Sequence, residues 1–286
     1  MRDTVFPRWQ GAFLAIFLLA DGLYVPASPA AVRTLALGGV LAAAVTFIWL
    51  KLLAALGERD LESLCLHKFP RPLTRIGFLL VGIACLCGVL RTLVRLSAFW
   101  QETAFSGIPR VLTAAVVLFV GWRAGRRGRT AVAMWAYPML FLTGAVVLLS
   151  LAVTLPDCDP AHFAGFAEKF TLSMPLLGGF VWFLLPLMLC AQGKNLPAAR
   201  ACTVGALAGG AGLALISLRA WMVLGAGAAR LAYPAFAAAG VFSVGDFLQR
   251  GEVVFGCALA LCEVVRVALL VTLAYTAFRT VFERKR

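Results

Sequence analysis

Few charged residues fall inside the apolar stretches of this 286-residue chain, and those few are the first candidates for chemistry, because an ionisable group in an apolar span needs a partner or a cavity. Asp21 lies in Ala20-Asp21-Gly22-Leu23-Tyr24-Val25-Pro26, thirteen residues after Arg8. At the helical rise that is ~20 Å, slightly past the middle of a bilayer. Gly22 and Pro26 can interrupt a helix, and an interruption at mid-depth turns backbone dipoles toward a ligand or ion. Two roles stay open for Asp21: binding a cation, a proton or the ammonium of an amino acid, or pairing with an arginine of a neighbouring span. Arg91 and Arg95 share one helix face four residues apart, with Glu102 beyond them. Their guanidiniums either line a cavity and hold a carboxylate or pair with Asp21 and fix the fold. Glu263 and Arg266, three apart, read as a mutually neutralising pair.

The theme recurs in Met174-Pro175-Leu176-Leu177-Gly178-Gly179, followed by Pro186. Glycine also serves ordinary close helix packing. Interruptions in the first and sixth apolar stretches, however, are the corresponding first helices of two five-helix inverted repeats, which directs attention to a central site near Asp21, Gly22, Gly178 and Gly179. Catalytic constellations are missing from the pattern. His67 and His162 fall on opposite membrane sides, and Gly121 to Gly128 is an arginine-rich turn without the ending of a phosphate loop. Cys85-Leu86-Cys87 has no matching ligand set, so the eight cysteines read as small buried hydrophobes. The chain is therefore expected to be no enzyme and to hold no metal or cofactor.

The elements that position these residues follow from composition. Hydrophobic residues make up 62%, charged ones 14%, and mean hydropathy is +0.92, well outside the soluble range. Apolar stretches at about 9–27, 33–56, 77–100, 109–122, 131–154, 172–191, 201–224 and 253–278 predict a single all-α domain over 1–286 with about eight transmembrane helices. The stretch 109–122 is the weakest and is expected to begin nearer Ala104. No small-residue cleavage site follows the first stretch, which is kept as a span. The net charge of +13 divides unevenly: seventeen basic residues fall in the first, amino-terminal set of segments and five in the opposite set. The bias predicts a multi-pass cell-membrane protein with both termini in the cytoplasm, and contact with anionic lipid rather than nucleic acid. Of the two long connections, 57–76 reads as a short amphipathic helix ended by proline, and 225–252 is apolar enough to lie against the bundle.

That outer connection carries Tyr233-Pro234 and then Phe242-Ser243-Val244-Gly245-Asp246-Phe247-Leu248-Gln249-Arg250-Gly251-Glu252. The run resembles the spore germination permease family, the membrane B-type subunit of germinant receptors. Tyr233, Pro234, Gly245, Asp246, Arg250 and Glu252 are the matching positions, and Gln249 stands where the family usually has glutamate. Looser matches are Asp21-Gly22 before Val25-Pro26, Arg126-Arg127-Gly128-Arg129, and Leu224-Gly225. The resemblance implies a transporter-type inverted-repeat fold of the amino acid, polyamine and organocation superfamily. The family has ten spans, so the second repeat here is incomplete. It further implies a spore inner-membrane location, an amino acid or similar small-molecule ligand, and A-type and C-type receptor subunits as partners. The expected function is nutrient sensing for germination; an amino-acid permease coupled to protons or sodium, and a degenerate scaffolding subunit, are the alternatives.

Overall fold

The computed structural model describes residues 7–58, 60–104, 107–163, 166, 171–173, 176, 196–241 and 251–282. Helix α1 (Pro7–Leu19) passes into a 3₁₀ turn (Ala20–Leu23) and is followed by α2 (Pro29–Ala55), α3 (Leu61–Lys68), α4 (Arg71–Thr103), α5 (Arg110–Gly125) and α6 (Arg129–Thr154). After the intervening stretch come α7 (Leu196–Leu224), a 3₁₀ turn (Gly225–Arg230), α8 (Pro234–Gly240) and α9 (Gly251–Phe282). No strand occurs among the described residues. Helices α2, α4, α6, α7 and α9 are long and apolar enough to cross a membrane, and α1 is a shorter apolar helix. The chain is thus all-α, with the architecture of a multi-pass membrane protein.

Local chemistry sets the boundaries. The Ser28 hydroxyl accepts from Ala31 N at 3.1 Å and Pro29 opens α2, while Gly57, at φ +75°, ends it in a conformation costly for other residues. Prolines 70, 109 and 234 stand at the starts of α4, α5 and α8, where a missing N–H costs nothing. Described helices coincide with seven of the eight apolar stretches. The stretch 172–191, with Gly178 and Gly179, lies outside the described residues apart from 172, 173 and 176. The first span is interrupted at Asp21-Gly22 as expected, α1 leaving α-geometry after Leu19, and one expectation needs correction: α5 starts at Arg110, because Ala104 instead closes α4 through its N–H on Trp100 O. The connections behave as expected: α3 ends before Pro70, and α8 packs its buried Ala235, Ala238 and Ala239 onto α7 and α9.

Glycines decide the packing. The closest pair is α2 with α7, crossing where Gly39 faces Gly210; a Cβ on Gly39 would lie 2.8 Å from the Gly210 Cα. Gly11 against Ala201 and Gly205, then Gly209 against Ala15, bring α1 equally close along α7. The register runs upward in both helices, so α1 and α7 are parallel, whereas α2 is antiparallel to α7, with the Ser217 hydroxyl donating to Pro26 O at 2.8 Å. A second group forms around α9. Gly82 meets Phe278 and Gly88 meets Leu270, making α4 antiparallel to it; Thr272 donates to Gly125 O at 3.1 Å, beside Gly121 on Val267, making α5 parallel. Thr143 of α6 donates to Ala258 O at 3.3 Å, and α6 is packed against both α9 and α1. Outward-facing Leu41, Ile48, Leu80, Leu90, Phe141 and Leu148 are exposed, as expected where hydrocarbon is the solvent.

Candidate functional site

The 3₁₀ turn that follows α1 sits where the two helix groups meet. Helix α9 holds it there: Arg266 is fifteen residues from Gly251 and sixteen from Phe282, at the midpoint of this 32-residue helix. Arg266 Nη2 donates to Asp21 Oδ2 at 2.7 Å, and Arg95 Nη1 of α4 donates to Asp21 Oδ1 at 3.0 Å. The other arm of Arg266 reaches Glu263 Oε2 at 3.4 Å. One carboxylate is therefore clamped by guanidiniums from two helices, and the second carboxylate shares one of them.

Gly22 makes the clamp possible. A Cβ there would meet side-chain carbons of Ile216 and Leu259, each at 3.1 Å, so a larger residue would press on those side chains of α7 and α9 beside Asp21. Aromatic faces cover the cations: Arg95 lies 3.8 Å above the Tyr24 ring and Arg266 5.0 Å from the Phe17 ring. The Tyr24 hydroxyl is buried without a hydrogen-bond partner among the described residues. The two halves of the clamp differ in access. Glu263 and Arg266 are 1% and 6% exposed, whereas Arg95 is 30% exposed and Asp21 13%. Accessible area therefore remains on the Asp21–Arg95 half of the clamp and is nearly absent from the Arg266–Glu263 half.

Chemically, the cluster holds two carboxylates and two guanidiniums, already balanced, with Arg91 exposed one turn below Arg95 and in no ion pair among the described residues. A lone cation would meet three guanidiniums and find the Asp21 oxygens taken. A zwitterion would not: its carboxylate matches a guanidinium fork and its ammonium matches the Asp21 oxygen that Arg95 gives up. Among the described residues no group of three His, Cys, Asp or Glu side chains is arranged to hold a metal.

Of the residues singled out in the sequence, Asp21, Gly22 and Arg95 come together and Arg91 stands beside them. Glu102 does not join them; it lies 3.9 Å from Arg110, both exposed. Glu263 and Arg266 do pair, but Arg266 is shared with Asp21, a contact across 245 positions that nothing local in the sequence selects. Its signal was depth alone, since Arg266 falls halfway along α9 and Asp21, counted from Arg8, falls slightly past mid-depth. Tyr24 and Phe17 were missed because aromatic residues beside arginines are unremarkable in a chain with 21 phenylalanines.

Tyr233 and Pro234 start α8, and the Tyr233 ring meets Phe99 edge-on at 5.1 Å and Tyr24 at 6.1 Å. The Tyr24–Tyr233–Phe99 stack connects the clamp to the end of the bundle where α8 packs. Burial and the neighbouring Glu102 push the Tyr233 phenol up to about 12. Glu252 stands in the first turn of α9, beside Gly240. Gly245, Asp246 and Arg250 lie outside the described residues. A scan against protein-family models finds no match for this chain, and neither does a search of curated proteins.

Proposed function

We propose that this chain is a ligand-sensing membrane subunit, of the B type found in germinant receptors, that binds a small zwitterion such as an amino acid at the reachable half of the Asp21 clamp. The observation that carries this reading is the asymmetry of the clamp: a carboxylate at mid-depth held on one side by a buried arginine and on the other by an arginine 30% exposed. The incoming carboxylate takes Arg95 and the ammonium takes Asp21 Oδ1, while Arg266 keeps Oδ2. Arg95 belongs to α4, and the turn carrying Asp21 continues α1 and packs chiefly on α9, so exchanging that pair loosens α4 against the turn. A ligand shifts such an equilibrium only by binding the two arrangements unequally, which replacing a direct ion pair by a bridged one provides. A-type and C-type subunits would read the shift.

With this reading goes an eight-span, inverted-repeat design with both termini cytoplasmic; the antiparallel packing of α1 on α9 supports termini on one side of the membrane, and the basic-residue bias supports that side being the cytoplasm. Helix α2 is antiparallel to α7 and α4 is antiparallel to α9, which is compatible with alternating crossings. A permease is the second reading, since it would use the same site. The double arginine clamp argues against Asp21 as a sodium or proton carrier, so a permease would have to couple elsewhere. A scaffold would keep the clamp and bind nothing.

The test is binding of single amino acids to the purified protein in nanodiscs by calorimetry, beside uptake in proteoliposomes. Sensing predicts saturable binding without uptake, weakened about tenfold to a hundredfold by Arg95→Gln, the range of one charge-assisted hydrogen bond. Concentrative uptake would establish the permease instead. Binding that ignores both Arg95→Gln and Asp21→Asn would remove the site from this clamp.

A further inference from the structure

The corner between α3 and α4 holds a groove of about 320 Å³ that has no part in the clamp. Leu61, Cys65 and Phe69 form one wall, and Leu73, Gly77 and Leu80 form the other. Thr74 also lines it, but its hydroxyl is committed to Cys65 O at 3.0 Å. Nothing in the lining asks for a polar ligand.

The groove is rigidly built. Ser63 N donates to Asp60 Oδ1 at 2.8 Å and Asp60 N to Ser63 Oγ at 3.3 Å, a reciprocal cap that starts α3. His67 Nδ1 lies 2.9 Å from Glu58 Oε1, and Thr280 of α9 donates to Glu62 Oε1 at 3.2 Å. With the Thr74 bond, α3 is tied to the preceding turn, to α4 and to α9. The space beside it is therefore a standing feature of the fold, not a gap between loose parts.

Charge says what fills it. The three acids of this corner are engaged as just described, while Lys68, Arg71 and Arg75 are exposed and form no ion pair among the described residues. Lys68 and Arg71 flank Phe69-Pro70 in the chain, next to the lining residue Phe69. The start of α4 has no side-chain cap, and although Pro72 offers no N–H, the Arg71 and Leu73 N–H groups and the positive end of a 33-residue helix lie at this corner. An apolar slot in a membrane helix, opening beneath cations and a helix N-terminus, matches one class of molecule.

We propose that this groove binds an anionic phospholipid, one acyl chain lying against Gly77 and the phosphate resting on Lys68, Arg71 and the N-terminus of α4. The proposal needs only that these helices lie in a bilayer and is independent of the clamp. A partner helix is a poorer fit, because α3 closes the slot at one end and leaves no length for a helical ridge.

Gly77 supplies the test. A Cβ there meets nothing within 4 Å, so Gly77→Leu or Gly77→Phe fills the groove from an open position. Native mass spectrometry of the detergent-purified chain, titrated with phosphatidylglycerol or phosphatidylcholine, counts the lipids retained. The wild type should hold one phosphatidylglycerol on the order of tenfold more tightly than phosphatidylcholine. Both Gly77 variants should lose that lipid, and Lys68→Gln with Arg71→Gln should lose the preference for the anionic lipid while keeping α3 intact. Retention of phosphatidylglycerol by Gly77→Phe at the wild-type level, or equal retention of the two lipids by the wild type, overturns the proposal.

Discussion

Asp21→Asn keeps the shape of the side chain and removes its charge, leaving Arg266 and Arg95 to find other partners. Removing one member of a buried pair costs ~3–5 kcal/mol, mostly through the charge left behind. Two observations lower that figure. Arg266 retains Glu263 at 3.4 Å, and Arg95, 30% exposed, can turn toward water. The expected loss is ~2–4 kcal/mol. Arg266→Gln should cost more, ~3–5 kcal/mol, because it strands two acids, one of them Glu263 at 1% exposure. Arg95→Gln should cost least, ~1–2 kcal/mol. Equilibrium unfolding in mixed detergent micelles, followed by tryptophan fluorescence, gives the order, and the Asp21→Asn, Arg95→Gln double variant should lose less than the sum of the singles. If Arg95→Gln proves as damaging as Arg266→Gln, or if all three stay within ~0.5 kcal/mol of wild type, the clamp is not the buried, asymmetric device described above.

Gly39→Ala drives a methyl against the Gly210 backbone and should destabilise by ~1–3 kcal/mol, whereas Gly144→Ala, in open space within α6, should stabilise by ~0.5–1 kcal/mol; thermal unfolding of the two variants separates packing from propensity. The raised Tyr233 phenol favours the protonated form in the fold, so its contribution to stability is present below about pH 10 and disappears as pH rises through about 12. Unfolding measured across that window should lose stability in the wild type and less of it in Tyr233→Phe. A cysteine at Gly107, between α4 and α5, should react with an impermeant maleimide added outside intact cells, and one at exposed Arg127, between α5 and α6, only after permeabilisation; the reverse labelling would invert the proposed orientation.

Helix content and the approximate position of most helices were legible from composition, because a backbone in hydrocarbon must satisfy its own hydrogen bonds and a stretch of ~20 apolar residues leaves little choice. The prolines at the starts of α4, α5 and α8, and the break after Leu19 beside Asp21-Gly22, were equally readable, since they depend on neighbours in the chain. Asp21 announced itself for the same reason: a lone acid in an apolar run must be answered. What answers it was not readable. Arg95 was one of two candidates on a shared helix face, and only the rotation of α4 against α9 gave it the Asp21 oxygen and left Arg91 exposed. Arg266 had a local acid to satisfy it, and only the antiparallel register of α1 on α9, set by Gly22 resting on Leu259, brought it across to Asp21. Local hydrogen bonding and solvent polarity act within a few residues and write themselves into the sequence; the pairing of charges 245 positions apart is decided by how glycine-lined helices settle against one another.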